Sequence, residues 1–210
     1  MKVHLGRKVD ADELADAGFD EVVVATGVEP RMPSIPGIDH PMVMTYAELV
    51  RGERVAGQRV AVIGAGGIGV DVSEYLTTSE SATLASPRHG ALLQRKASAS
   101  GKGLGKTSGW VHRAALKAKG VEHVTGVVSY DLIDDDGLHV SVGTGPEGAT
   151  ERRTYAVDSV VICAGQESVR TIADDLHARG LVTHVIGGAD VASELDAKRA
   201  IRQGTEVAAA

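Results

Sequence analysis

Six small residues carry the strongest chemical signal in this sequence, the run Gly64-Ala65-Gly66-Gly67-Ile68-Gly69. The pattern G-x-G-x-x-G binds a dinucleotide when a strand leads into it and a helix leads out. Each glycine has its own reason. Gly64 permits the tight turn, Gly66 lets the backbone approach a pyrophosphate, and Gly69 lets the helix pack against the strand. The helix start then offers free N–H groups and a partial positive charge to the phosphates. A glycine turn without a ligand, or a Rossmann site for a different ligand such as a methyl donor, fits the same six residues.

The choice of nucleotide is read further on. NAD binding expects an acid about 20 residues downstream, at the end of the second strand. Leu84 to Arg88 contains none, and the next strand end, Gln94-Arg95-Lys96, is basic. Two adjacent cations suit a 2′-phosphate, which favours NADP(H); an exposed basic loop is the other reading. Ser100 to Thr107 resembles a P-loop, but Ser100 stands where the first glycine belongs, so ATP is not expected.

Two further strand ends look alike, Ala25-Thr26-Gly27 and Cys163-Ala164-Gly165. Such ends let the chain pass close to a cofactor, or are plain turns. Gly187-Gly188-Ala189-Asp190 is read as opening a helix, with Asp190 either an N-cap or an acceptor for a ribityl hydroxyl. The eight histidines show no metal-ligand spacing, and no nucleophile stands beside a base. Cofactor binding is expected, without catalytic or metal-binding residues.

The elements that must hold these residues follow from periodicity. Arg59 to Ile63 reads as a buried parallel strand. Ile68, Val72, Tyr75 and Leu76 form the stripe of a packed helix. Val3 to Leu5, Glu21 to Ala25, Ala91 to Gln94 and Ser159 to Ala164 read as further strands. Met44 to Arg51 reads as a short helix with Thr45 as its N-cap. Val111, Ala114, Ala115 and Ala118 give another helical face, with Gly120 as its stop. Val127 to Ile133 and Leu138 to Val142 flank an Asp136-Gly137 turn as a hairpin. Gly143 to Arg153 reads as a loop, and Glu194 and Lys198 as an i,i+4 pair in the last helix. Pro30, Pro33, Pro36 and Pro41 mark an extended linker. Alternating strands and helices imply a parallel α/β sheet.

Composition narrows the function. At 43% hydrophobic and 24% charged, the 210 residues suit one large globular domain or two small ones. An aromatic share of 3% and a net charge of −6 argue against a nucleic-acid surface. No apolar run approaches the ~20 residues of a membrane span, and no signal peptide is present, so the cytoplasm is expected. The single cysteine, Cys163, sits in a buried strand and reads as a core thiol.

In order along the chain, these pieces resemble the flavoprotein pyridine-nucleotide reductases. More closely, Leu92 to Lys96, Gly103 to Thr107, Gly109-Trp110, Asp135 to Val140, Val161 to Glu167 and Leu195 to Ile201 resemble the C-terminal region of the bacterial NADPH-dependent 2,4-dienoyl-CoA reductases, old yellow enzyme-type multidomain flavoproteins. The resemblance implies an α/β fold in which a Rossmann-like NAD(P)-binding domain, with an inserted β-hairpin, is itself inserted between remnants of an FAD-binding Rossmann-like domain. The expected divisions are 1–40 (partial FAD-binding), 41–167 (NADPH-binding) and 168–210 (C-terminal part of the FAD-binding domain). It further implies hydride flow from NADPH to FAD, for the reduction of 2,4-dienoyl-CoA in fatty acid β-oxidation. On that basis Gly64, Ala65, Gly66, Gly67, Ile68 and Gly69 would cradle NADPH, with Arg95 and Lys96 on its phosphate. Ala25, Thr26, Gly27, Ala164, Gly165, Gly188 and Asp190 would line the cofactors, with an FAD site incomplete in this chain. The family's FMN barrel and iron–sulfur region have no counterpart in the sequence, so the chain alone is expected to be inactive. It would be one half of such a reductase, a free-standing module that docks on a flavoprotein, or an inactive fragment.

Overall fold

Runs of β-branched residues build the larger of two compact units. The computed structural model describes residues 1–78, 88–105, 108–145, 148–192 and 197–210. One unit comprises Met1–Glu29 with Gln166–Ala210; the other is Pro30–Gly165. Residues 30–40, expected with the FAD-binding remnant, belong to the second unit.

The first unit opens with α1 (Ala11–Asp16), β1 (Glu21–Val24) and β2 (Val28–Pro30). Asp10 starts α1 by accepting from the Glu13 amide at 2.9 Å. The strand expected at Val3 to Leu5 is not formed; Val3 and Leu5 are exposed and no ladder reaches them. Three alternating residues are too short to hold a strand without a partner.

The second unit holds β3 (Val43–Thr45), α2 (Tyr46–Val50), β4 (Arg59–Ile63), α3 (Gly67–Thr77), β5 (His89–Leu93), α4 (Gly109–Ala118) and β6 (Glu122–Val124). It continues with β7 (Val127–Asp134), β8 (Gly137–Gly143), β9 (Thr150–Tyr155) and β10 (Ser159–Ile162). Five strands form one sheet in the order β3-β10-β4-β5-β6, and all neighbours are parallel. Alternate residues serve its two faces. Val60, Val62, Leu92 and Val161 face the cluster formed with Val70, Val72, Leu76 and Leu116 of α3 and α4. Ala61, Ile63, Leu93, Val160 and Ile162 face the cluster formed with Val127, Ile133, Leu138 and Val140. The unit is therefore a helical layer, a parallel sheet and a second, antiparallel sheet.

That second sheet is larger than the expected hairpin. β7, β8 and β9 pair antiparallel in sequence order, so the loop expected over Gly143 to Arg153 contains a strand. The side chains of β9 are exposed or half-buried throughout, which leaves no apolar alternation to read. Two helical stripes also differ. Val72 and Leu76 of the expected α3 stripe are buried, but Tyr75 is 59% exposed, and Val70 and Ser73 are buried beside them. On α4, Val111, Ala114 and Ala118 face outward, and the buried positions are Gly109 and Leu116. Leu116 has the apolar area to anchor that helix, and the alanines do not.

The chain returns to the first unit through β11 (Gln166–Ser168), α5 (Thr171–Ala178), β12 (Val182–Val185) and α6 (Ala197–Ala209). β2 and β11 pair as a two-stranded ribbon. β1 and β12 pair in parallel, Glu21 opposite Val182 through Val24 opposite Val185. Ala11, Val24, Ala173, Leu176 and Ala189 make the small core beside them. Glu194 of the expected ion pair lies outside the described residues, as do 79–87.

Candidate functional site

The glycine turn lies where the larger sheet reverses direction. From β4 the chain proceeds to β5 on one side, while β10 lies on the other. Ligands of open α/β sheets bind beyond the strand ends at such a point. Gly64 has φ of +108°, and a Cβ there would stand 2.3 Å from the Cys163 carbonyl oxygen. A Cβ on Gly69 would meet the Gly64 oxygen at 1.7 Å. These two positions accept no side chain. Gly66 differs: its φ is −78° and no described atom lies within 4 Å of where a Cβ would stand. Its freedom from a side chain opens space outside the protein rather than inside it.

Gly66 is also the N-cap of α3, and no side chain caps it. The first intrahelical bond runs from the Val70 amide to the Gly66 carbonyl at 3.1 Å. The amides of Gly67, Ile68 and Gly69 therefore precede the helical ladder and have no acceptor within it. Ala65 is buried, and its carbonyl accepts from the Gly101 amide at 2.8 Å.

Ile63 and Ile162 are register partners, which brings Cys163, Ala164 and Gly165 beside the turn. Gly165 has φ of +104°. Arg31, which sequence reasoning missed, fixes this strand end. Its amide donates to the Gly165 carbonyl at 3.1 Å, and its Nε to the Ala164 carbonyl at 2.9 Å. One arginine in a proline-rich stretch offers no local signal of that role.

Residues 63 and 93 are also register partners, and the Gly64 amide donates to the Leu93 carbonyl at 2.8 Å. Arg95 and Lys96 thus leave the sheet next to the turn, and both are exposed. Arg95 lies near Tyr130; burial pushes that phenol up to about 12, against the pull of the Arg95 charge.

Residues 1–200 match the pyridine nucleotide-disulphide oxidoreductase family. The chain belongs to that family. Among curated proteins, mercuric reductase of Bacillus cereus is 26% identical over 163 residues, 76% of this chain and 23% of its own length. Among solved structures, a 2-naphthoyl-CoA reductase complex superposes with a TM-score of 0.83 at 23% identity, covering 97% of this chain and 29% of that one. An engineered water-forming NADPH oxidase bound to NADPH gives 0.64 at 20% identity, covering 91% and 46%. These likenesses extend to the fold. The chain spans under half the length of each.

FAD and NAD(P)H are the cofactors of this oxidoreductase family. The free amides of α3 and the open side of Gly66 fit a nucleotide diphosphate. In the other unit, Ala25, Thr26 and Gly27 follow β1 while Gly188 and Asp190 follow its partner β12. The Ile186 amide extends that pairing by donating to the Val24 carbonyl at 3.0 Å. Ala25 and Thr26 are exposed, and the Cβ position of Gly27 meets no described atom, so this end also fits a close ligand. The Thr26 hydroxyl donates to the Val169 carbonyl. Gly187 to Asp190 form a turn, not the start of a helix, and Asp190 is not an N-cap. Its carboxylate accepts from Gln203 Nε2 at 2.7 Å, while Gln203 Oε1 accepts from the Gly187 amide at 2.9 Å. Asp190 is thus oriented by α6, from a residue 13 positions away.

Cys163 is free and buried. Burial raises the pKa of its thiol, which keeps it protonated and unreactive. No group of acidic, histidine or cysteine side chains among the described residues could hold a metal. No helix among them is long and apolar enough to cross a membrane.

Proposed function

We propose that this chain is the NADPH-docking portion of a flavin-dependent oxidoreductase, with part of the FAD site, and that its full enzyme reduces a 2,4-dienoyl-CoA. One observation carries the docking: three amides at the start of α3 lie at the sheet's switch point, beside a glycine whose outer side is open. When bound, NADPH supplies a hydride and FAD receives it. The chain's own contribution is to bind and orient. The α3 amides take the diphosphate, Arg95 and Lys96 favour the 2′-phosphate, and Arg31 holds the Ala164–Gly165 strand end in place. Thr26, Gly27, Gly188 and Asp190 serve the flavin nucleotide. A thioester substrate is supported by the resemblance to dienoyl-CoA reductases, and by the likeness in fold to a 2-naphthoyl-CoA reductase. The proposed partners are an FMN barrel and an iron–sulfur region that would complete the enzyme.

Titration with NADPH and with NADH, followed by nicotinamide fluorescence, tests the docking and the basic pair together. NADPH is expected to bind at least about tenfold tighter, as charged hydrogen bonds to a phosphate allow. The Arg95→Gln/Lys96→Gln variant is expected to lose most of that preference. Equal or tighter NADH binding by the unaltered chain would defeat the assignment.

A further inference from the structure

The outer face of the antiparallel sheet carries a polar row that the nucleotide site does not use. His139 of β8 and Thr154 of β9 are register partners, and Leu132 of β7 lies opposite His139 on its other side. Asp134 closes the row at the end of β7. Pleating sends Leu138 and Val140 into the core, and so sends His139 and Ser141 to the opposite face. No nucleophile stands beside a base along the sequence. The pairing of β8 with β9 supplies one, 15 residues from His139.

The bonds in this row have a direction. Asp134 Oδ1 lies 2.8 Å from His139 Nε2 and accepts from the Asp136 amide at 3.0 Å. The His139 bond, aided by that amide, lowers the pKa of the Asp134 carboxyl. A carboxylate only accepts, so Nε2 carries the ring proton and Nδ1 keeps its lone pair. That lone pair meets the Thr154 hydroxyl at 3.0 Å, and Thr154 is exposed. Hydroxyl, imidazole and anchored carboxylate in this order are a nucleophile, its base and the group that orients the base.

Neighbouring residues add to the row. Arg152 stands two positions before Thr154 on the same face, opposite Ser141. Hydrogen bonds from Ser129 and Ser141 hold the Asp131 carboxyl low, and the charges of Arg152 and His139 act on it as well. A guanidinium here suits the negative oxygen of a tetrahedral acyl intermediate. Leu132 is 38% exposed and offers apolar surface beside His139 for a short acyl chain.

We propose that this face hydrolyses short carboxylic esters, with Thr154 as nucleophile, His139 as general base and acid, and Asp134 as positioning residue. Thr154 Oγ1 bonds to the acyl carbon while its proton passes to His139 Nδ1. The bond from that carbon to the leaving alcohol breaks, and the imidazolium gives the alcohol its proton. Water then cleaves acyl-Thr154, and its proton returns through His139 to the threonine oxygen. One ester and one water yield one acid and one alcohol, with no change of oxidation state.

The full chain is assayed with 4-nitrophenyl acetate and, separately, treated with a fluorophosphonate that loses fluoride on bonding to a nucleophilic oxygen. Peptide mass spectrometry is expected to find the phosphonyl group on Thr154. Thr154→Ala and His139→Gln are each expected to slow nitrophenolate release at least about tenfold, and Thr154→Ser to retain it. The other histidines cleave this ester slowly, a background that every variant keeps. In the original chain the rate is expected to rise with pH as the imidazole loses its proton. Asp134→Asn is expected to lower the rate and to move that rise to lower pH, because the imidazolium loses its carboxylate. Emission from Trp110, the chain's sole tryptophan, checks the fold of each variant. Thr154 is exposed, so Thr154→Ala decides the matter if another variant is disturbed. Release that Thr154→Ala leaves unchanged, or a probe that does not mark Thr154, would overturn the proposal.

Discussion

Gly66 and Gly69 serve the same turn for opposite reasons, and alanine separates them. At Gly69 a methyl would collide with the Gly64 carbonyl, a backbone atom that cannot swing away. Gly69→Ala is expected to lower stability by about 1–3 kcal/mol, as overpacking does, in urea denaturation. At Gly66 the methyl points into open space with a φ that any residue adopts. Gly66→Ala is expected to stay within about 1 kcal/mol of the original stability, yet to weaken NADPH at least about tenfold by occupying the place of the diphosphate. Equal NADPH affinity in Gly66→Ala would mean the open side holds nothing. Cys163 gives a separate check. Burial raises its pKa, so a chromogenic thiol reagent at pH 8 is expected to label it only once urea unfolds the chain. Rapid labelling of the native protein would show that the strand end beside Gly64 is open.

At the scale of elements, short-range polar contacts set where helices and strands begin. Thr45 and Glu48 form a reciprocal cap on α2, and Thr45→Ala is expected to cost about 1 kcal/mol. Asp158 holds the start of β4, accepting from the Arg59 amide at 2.9 Å and from its guanidinium at 2.6 Å. These bonds lower the pKa of the Asp158 carboxyl, and those from Thr45 lower that of Glu48. A depressed carboxylate stabilises the fold above its unfolded pKa, and that contribution disappears as pH falls through the folded value. Asp158→Asn should therefore lower Tm at neutral pH and flatten its fall on the acid side; an unchanged acid limb would remove Asp158 from the account. The elements legible in the sequence were those with a local signature. β4, the glycine turn and α3 announce themselves by a β-branched run, spaced glycines and an amphipathic stripe. Thr45 was legible as a cap because its partner is three residues away. β9 was not, because its exposed side chains carry no alternation. The faces of α3 and α4 were misread at Tyr75 and Val111 because hydrophobicity alone does not say which side meets the sheet. Arg31 and Gln203 act across long sequence separations, where periodicity is silent.

At the scale of the molecule, the two units differ in how much they bury. The larger has two extensive clusters on its sheet faces, while the smaller relies on Ala11, Val24, Ala173, Leu176 and Ala189. Less buried apolar area means less stability. Trp110 belongs to the larger unit, whereas helical circular dichroism senses both. Urea transitions followed by the two signals are therefore expected to diverge, with dichroism falling first. Coincident transitions would show that the units unfold together.

Nucleotide docking depends on the free amides of α3 receiving a diphosphate. Amide resonances in a 15N-labelled chain titrated with NADPH address it most directly. The largest saturable shifts are expected at Gly67, Ile68 and Gly69, with Gly66 close behind. NADPH binding that leaves those four amides unmoved, or no binding at millimolar nucleotide, would contradict it.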